Sequence, residues 1–182
     1  DIVTSSMDPR QSLSYLHNEA DGTFANRTAG SGLDEQLGGL NLIHTDYDDD
    51  GRIDLLVLRG GWMQNLGGIR NSLLHNEGTG RFVDVTHKAG LAEPAQPTQT
   101  GAWADYDGDG DLDLFVGNEG EKRGARMHLF ADNLFRNEGD GSFVDVAATE
   151  GLVDGGYAKG SAWGDYDADG DPDLYVSNIG PN

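Results

Sequence analysis

Apolar residues in this chain come in short bursts separated by acidic, glycine-containing turns, and the bursts are of two kinds. Ile53–Leu58 (IDLLVL), Leu112–Val116 (LDLFV) and Asp173–Val176 (DLYV) are nearly continuous. Arg81–Thr86 (RFVDVT) and Ser142–Ala147 (SFVDVA) alternate between apolar and polar positions. Alternation predicts a strand with one face toward a core, and a short continuous run fits an inner strand buried on both faces. Further strands are predicted ahead of the continuous runs, at Leu40–Asp46, Gly101–Asp105 and Gly160–Asp165. Others carry Leu73-Leu74-His75-Asn76 and Asn133-Leu134-Phe135-Arg136-Asn137. Gly78-Thr79-Gly80 and Gly139-Asp140-Gly141 then supply hairpin turns into the alternating strands.

These elements repeat. The acidic turns start at Asp46, Asp105 and Asp165, 59 and 60 residues apart. A second motif keeps the same interval: LHNEADGTF at 16–24, LHNEGTGRF at 74–82 and FRNEGDGSF at 135–143. Each copy is followed by Gly-Leu, at Gly32-Leu33, Gly90-Leu91 and Gly151-Leu152. Four short strands per unit, repeated in tandem, predict an all-β fold of β-propeller blades, as a partial propeller or an open array. Long β-solenoids compete, but their repeats are usually much shorter. The divisions are a single repeat region over 1–182, with a partial blade at 1–39, blades at 40–98 and 99–158, and a half blade at 159–182. Asp1-Ile2-Val3-Thr4 aligns with Asp54-Leu55-Leu56-Val57 and Asp173-Leu174-Tyr175-Val176, which puts Asp1 at the ninth place of an acidic loop. Three blade-equivalents are too few to close a ring. The chain is therefore expected to be an excerpt of a longer propeller, or a unit whose open strand edges pair with other copies.

Composition sharpens this picture. An apolar content of 36% is lean for one core, and the 28 glycines fall at fixed turn places rather than in a low-complexity tract. Net charge is −20, from 32 acidic and 12 basic residues. Such a surface argues against nucleic acid or an anionic membrane as partner. Cysteine is absent, which excludes disulfides and thiolate metal sites but leaves the compartment open. No apolar run of roughly 18 residues is present to span a bilayer. The first residues, DIVTS, carry no signal-peptide features, as a mature or excerpted chain would also look.

Much of the negative charge is organised. DYDDDGRID (46–54), DYDGDGDLD (105–113) and DYDADGDPD (165–173) each hold five acids in nine residues. Crowding of this kind calls for a cation, and in DxDxDGxxD the backbone can curl round one. Side-chain oxygens at places one, three and five point inward, the glycine at six permits the turn, place seven offers its carbonyl, and place nine closes the shell. The predicted ligands are Asp46, Asp48, Asp50, the carbonyl of Arg52 and Asp54 in loop one. Loop two supplies Asp105, Asp107, Asp109, the carbonyl of Asp111 and Asp113. Loop three supplies Asp165, Asp167, Asp169, the carbonyl of Asp171 and Asp173. Calcium, which takes roughly six to eight oxygens, fits better than magnesium, giving three Ca²⁺ sites and a partial fourth at Asp1. An EF-hand is ruled out: its twelfth place is valine here (Val57, Val116, Val176), within a strand-like run. With every ligand in one loop and no substrate group nearby, a structural role for the ion is expected.

Other chemistry is sparse. His17, His44, His75, His87 and His128 show no zinc spacing, and His44 aligns with Trp103 and Trp163, suggesting packing near the inner strand. Asn26-Arg27-Thr28 is a glycosylation sequon, with Asn26 as acceptor. No Ser-His-Asp pattern or phosphate loop stands out, so no catalytic residue is assigned.

GAWADYDGDGDLDLFVGN (101–118), NLFRNEGDGSFVDVAATEGL (133–152) and SAWGDYDADGDPDLYVSN (161–178) resemble FG-GAP/VCBS repeats, and more closely the CRTAC/ASPIC-UnbV group of propeller proteins. Integrin α-subunit propellers carry similar loops. The resemblance covers almost the whole chain and implies a secreted or cell-surface propeller, calcium in its loops, and a role in adhesion or matrix contact. Because propellers host many activities, three readings stand. The first is a non-enzymatic calcium-binding module for extracellular adhesion or protein interaction. The second is a carbohydrate-binding or carbohydrate-active (lectin or lyase) propeller with a glycan ligand. The third is a structural protein that assembles as a homo-oligomer or filament through open blade edges.

Overall fold

A computed structural model of the chain describes residues 1–8, 10–63, 66–123, 126–152 and 156–179, and no α-helix forms among them. The chain winds into successive antiparallel sheets. The first joins β1 (Ile2–Thr4), β2 (Ser14–Asn18) and β3 (Phe24–Asn26) in chain order. The second has four strands, also in chain order: β4 (Asn41–Thr45), β5 (Asp54–Leu58), β6 (Ser72–Asn76) and β7 (Phe82–Asp84). The third opens with β8 (Thr98–Ala104) and β9 (Asp113–Asn118). A small separate hairpin, β10 (Glu121–Arg123) and β11 (Arg126–His128), follows before β12 (Asn133–Asn137) and β13 (Phe143–Asp145) complete the four-stranded sheet. The last sheet pairs β14 (Ala158–Gly164) with β15 (Asp173–Asn178). These are the blades of a partial β-propeller.

The register repeats from blade to blade. Leu55 pairs with Leu74, Leu114 with Phe135, and Ile2 with Leu16. Thus β1 is the second strand of its unit, and Asp1 stands where Asp54 and Asp113 stand. The core lies between blades rather than within any one of them. Leu55 and Val57 face one way, toward Leu13, Tyr15 and Leu33 of the first unit. Leu56 and Leu58 face the other way, with Leu114, Val116, Phe135 and Phe143 of the next blade. Phe115, between Leu114 and Val116, turns to a third cluster with Trp163 and Leu174. A strand sandwiched in this way needs apolar residues at consecutive positions, and β5 and β9 are buried along their whole length.

The Gly-Leu pairs form the joints between blades. Phe82 N–H donates to Ser31 O at 2.7 Å, and Phe143 N–H donates to Ala89 O at 2.9 Å. The following glycines, Gly32 and Gly90, have φ of +82° and +78°. A Cβ there would stand 2.1 Å from Phe82 O and 2.8 Å from Phe143 O, so only glycine lets the next hairpin approach. Leu33 and Leu91 then drop into the clusters between blades.

Four details depart from the sequence reading. The fourth strands are shorter than Arg81–Thr86 and Ser142–Ala147, because the carboxylates of Asp84 and Asp145 accept the N–H of Thr86 and Ala147 at 3.1 Å and turn the chain away. The first strand of the third sheet starts earlier, at Thr98, which forms a parallel bridge to Gly60 and donates its N–H to Arg59 O at 2.8 Å. The β10–β11 hairpin was not anticipated. Finally, β15 is not buried on both faces: Leu174 and Val176 pack inward, but Tyr175 is 68% exposed.

Candidate metal-binding loops

Each acidic loop links the first and second strands of its unit, and the chain's own carboxylates wire it into shape. In loop one Asp46 accepts the N–H of Asp50 at 3.0 Å and of Gly51 at 2.8 Å. In loop two Asp105 accepts those of Asp109 at 3.1 Å and Gly110 at 3.0 Å, and in loop three Asp165 accepts those of Asp169 and Gly170, both at 3.1 Å. The carboxylate at place five takes the N–H of place seven: Asp50 from Arg52 at 2.9 Å, Asp109 from Asp111 and Asp169 from Asp171 at 3.0 Å. The sixth-place glycines, Gly51, Gly110 and Gly170, have φ of +83°, +99° and +103°, the left-handed region that a tight curl requires.

Place nine closes the loop and ties it to the sheet. Asp54, Asp113 and Asp173 accept the N–H of the second-place tyrosines, Tyr47, Tyr106 and Tyr166, at 3.4, 3.1 and 2.8 Å. Their other oxygen, in the two full blades, accepts from the third strand: Asn76 N–H to Asp54 at 2.7 Å and Asn137 N–H to Asp113 at 2.8 Å. Asp54 and Asp113 are 1% and 0% exposed. Burial, more than any neighbour, pushes both carboxyl groups up to about 6. Asp173 lies at the surface, since no third strand covers it among the described residues.

Which predicted ligands meet can be stated directly. Asp105, Asp107 and Asp113 converge in loop two, and Asp165, Asp167 and Asp173 in loop three, each set with ligand atoms within 4.8 Å of one another. In loop one, Asp46, Asp48 and Asp50 converge. Asp109 and Asp169 stand outside these sets and orient the seventh-place N–H instead. Asp111 leans on the β12–β13 turn, where a Cβ on Gly139 would stand 2.8 Å from its carboxylate. Arg52 engages the loop through its side chain: its guanidinium bonds the Asp50 carboxylate, and Nε donates to Asn76 O at 2.6 Å.

A histidine that sequence spacing did not single out reaches loop one. His75 on β6 places Nδ1 3.3 Å from Asp48 Oδ2 and 3.3 Å from Asp54 Oδ1. Its register neighbours are the signal that could have found it. The equivalent place is Arg136 in the next blade, which bonds Glu138 at 2.8 Å, and His17 in the first unit, 3.0 Å from Asp1. Asp1 itself accepts Asn18 N–H at 2.8 Å, the third-strand half of the ninth-place wiring, and the Tyr15 hydroxyl at 2.7 Å. His44 is exposed rather than packed, unlike its counterparts Trp103 and Trp163, which flank the clusters between blades. Asn26 is exposed at the end of β3, its side-chain oxygen accepting Thr28 N–H at 3.0 Å.

The donor chemistry fits a hard cation. Two buried carboxylates with raised proton affinity, each beside further carboxylates, would be stabilised as anions by positive charge. Loop two offers such charge from no side chain of its own, since all its converging donors are oxygens.

Comparison with known proteins agrees with the repeat pattern. The sequence model of a family described as FG-GAP-like repeat matches residues 46–116 and 117–176. Cartilage acidic protein 1 of Homo sapiens is 29% identical over 165 residues, covering 90% of this chain and 24% of the relative. The Mus musculus and Xenopus tropicalis proteins of the same name are 28% and 27% identical over 166 residues. The chain thus spans about a quarter of the length of the curated relatives it matches, 24% in each.

Proposed function

Because the chain belongs to the FG-GAP-like repeat family, we propose that it is a non-enzymatic calcium-binding repeat module for extracellular adhesion or protein interaction. Calcium in its loops would hold the blades in register. The ligands would be those of places one, three and nine, joined by place five on binding, with Arg52, Asp111 and Asp171 lending carbonyls and water completing each shell. The observation that carries this reading is the burial of Asp54 and Asp113 inside otherwise identical wiring. An acidic loop that merely decorated a surface would keep its carboxylates in water. Here the ninth carboxylate is also the first residue of an inner strand, so neutralising it steadies the sheet that separates two clusters of core residues.

Single-loop sites in extracellular modules bind calcium at about 10⁻⁴–10⁻³ M, which suits a secreted or cell-surface setting. The name cartilage acidic protein 1, printed for relatives that share 27–29% identity, supports a matrix context for this chain as well. The −20 net charge supports protein or glycan partners over nucleic acid. The test is a melting curve with calcium and with excess chelator. Calcium at about a hundred times its dissociation constant stabilises the fold by roughly 2.7 kcal/mol per site. Superimposable curves would overturn the calcium reading.

A further inference from the structure

Loop one differs from its siblings in what surrounds its carboxylates. His75 reaches it because β6 pairs with β5 in the Leu55–Leu74 register, which sets the imidazole beside Asp54. The side chain is 20% exposed, yet Nδ1 is sealed from solvent and finds no hydrogen-bond partner in acceptable geometry. What it faces is two carboxylate oxygens, Asp48 Oδ2 and Asp54 Oδ1, each 3.3 Å away. Metal–ligand bonds of about 2.1 Å put neighbouring donors about 3.0–3.4 Å apart at octahedral or tetrahedral angles. The two separations from Nδ1 are therefore those of edges of a coordination shell, and all three ligand atoms lie within 4.8 Å of one another. Asp54 is already oriented for the role, each oxygen being fixed by one backbone N–H, from Asn76 and Tyr47.

We propose that Asp48, Asp54 and His75 form a mixed oxygen–nitrogen site that takes one borderline-soft divalent cation, of the zinc or cobalt class, through two carboxylate oxygens and His75 Nδ1. Imidazole favours such ions, whereas all-carboxylate and carbonyl sets favour calcium and magnesium. The loop's own arginine pushes in the same direction: the Arg52 guanidinium holds Asp50 and draws that carboxylate from an all-oxygen shell. Loop two is the internal control. Its Arg136 occupies the His75 place but is bonded to Glu138, and its converging donors are all carboxylates. The proposal rests on loop one holding a cation at all, and not on that cation being calcium.

Equilibrium dialysis of the whole chain against micromolar zinc, without added calcium, tests it. The wild type should retain one zinc that His75→Asn loses, with apparent affinity falling about 10-fold or more. Asp107→Asn, in loop two, should keep that zinc. Zinc bound as tightly by His75→Asn, or lost in Asp107→Asn, overturns the proposal. Should His75→Asn fail to fold, ring-nitrogen NMR of the wild type decides. Zinc must shift His75 Nδ1, and a response confined to the other histidines overturns the site. Failure of the calcium reading looks different: zinc is retained through His75, but calcium leaves the melting curve unmoved.

Discussion

In loop one, the carboxylates at places three, five and nine meet an arginine and a histidine of the chain itself. Arg52 bonds Asp50, and His75 stands against Asp48 and Asp54. In loop two, the same backbone carries Asp111 where Arg52 was, and the cation at the His75 place, Arg136, turns to Glu138. Both loops bury the ninth carboxylate in the same way and fasten it with the same asparagine N–H. The frame is thus the same whichever way its charge is balanced, and two side chains, one at the seventh place of the loop and one on the third strand, make the difference. Loop one is partly neutralised from within. Loop two has no basic side chain of its own.

That contrast breaks most visibly under chelation. Removing calcium should lower the melting temperature by roughly 5–10 °C for each site that was well occupied, on the usual conversion of about 2–4 °C per kcal/mol at this size. Asp113→Asn should erase the part of the calcium-dependent shift that belongs to loop two, whereas Asp54→Asn should erase less, because the Arg52 guanidinium already partly balances loop one. Equal losses from both variants, measured by scanning calorimetry, would refute the distinction.

The next effect is pH dependence. Asp113 has a folded value near 6 against about 3.9 in an unfolded chain, so the metal-free fold favours its protonated form. The stability linked to this group is fully present below about pH 4 and is lost as pH rises through about 6. Chelated wild type should therefore lose melting temperature between pH 4 and 7 relative to chelated Asp113→Asn. Calcium, which requires the ionised carboxylate, should reverse the slope. Parallel profiles for the two chelated proteins would count against a buried, uncompensated Asp113.

A smaller change should follow Arg52→Asp, which makes loop one resemble loop two. In chelator its cost should be about 1 kcal/mol or less, as for other half-exposed ion pairs, while the calcium-induced stabilisation grows. A calcium response that shrinks instead would show that Arg52 assists the ion. Smallest of all is Asp173→Asn in chelator, expected within about 0.5 kcal/mol because the group is already in water.

The sequence disclosed whatever repeats. The 59- and 60-residue intervals located the blades, the continuous runs marked β5 and β9 as inner strands, and the Asp alternation located the loops. Its failures share one cause, since each depends on residues far apart in the chain. His75 lies 21 residues beyond Asp54, and only strand pairing brings them together. Tyr175 was read as an inner-strand residue because its neighbours in sequence say so, yet burial requires a covering strand or blade. The early end of β7 comes from one side-chain oxygen at Asp84 competing with the ladder, which a hydrophobic pattern does not register. β10 and β11 lack both alternation and a counterpart among the described residues of the other units, so nothing in the period announced them.

The bond from Asn137 Nδ2 to Tyr47 O, 3.0 Å long between residues 90 apart, carries a meaning for inheritance. It joins the loop of one unit to the hairpin of the next, beside a bond that recurs at both described junctions, from a phenylalanine N–H to the carbonyl just before Gly-Leu. Every whole-period copy brings one complete half of each joint, wherever the copied segment happens to be cut. Tandem duplication can therefore lengthen or shorten such an array without redesigning any surface. Once copied, a unit is held by its neighbours through places outside the metal ligands. Its loop is then free to differ in charge from its siblings, as loops one and two do.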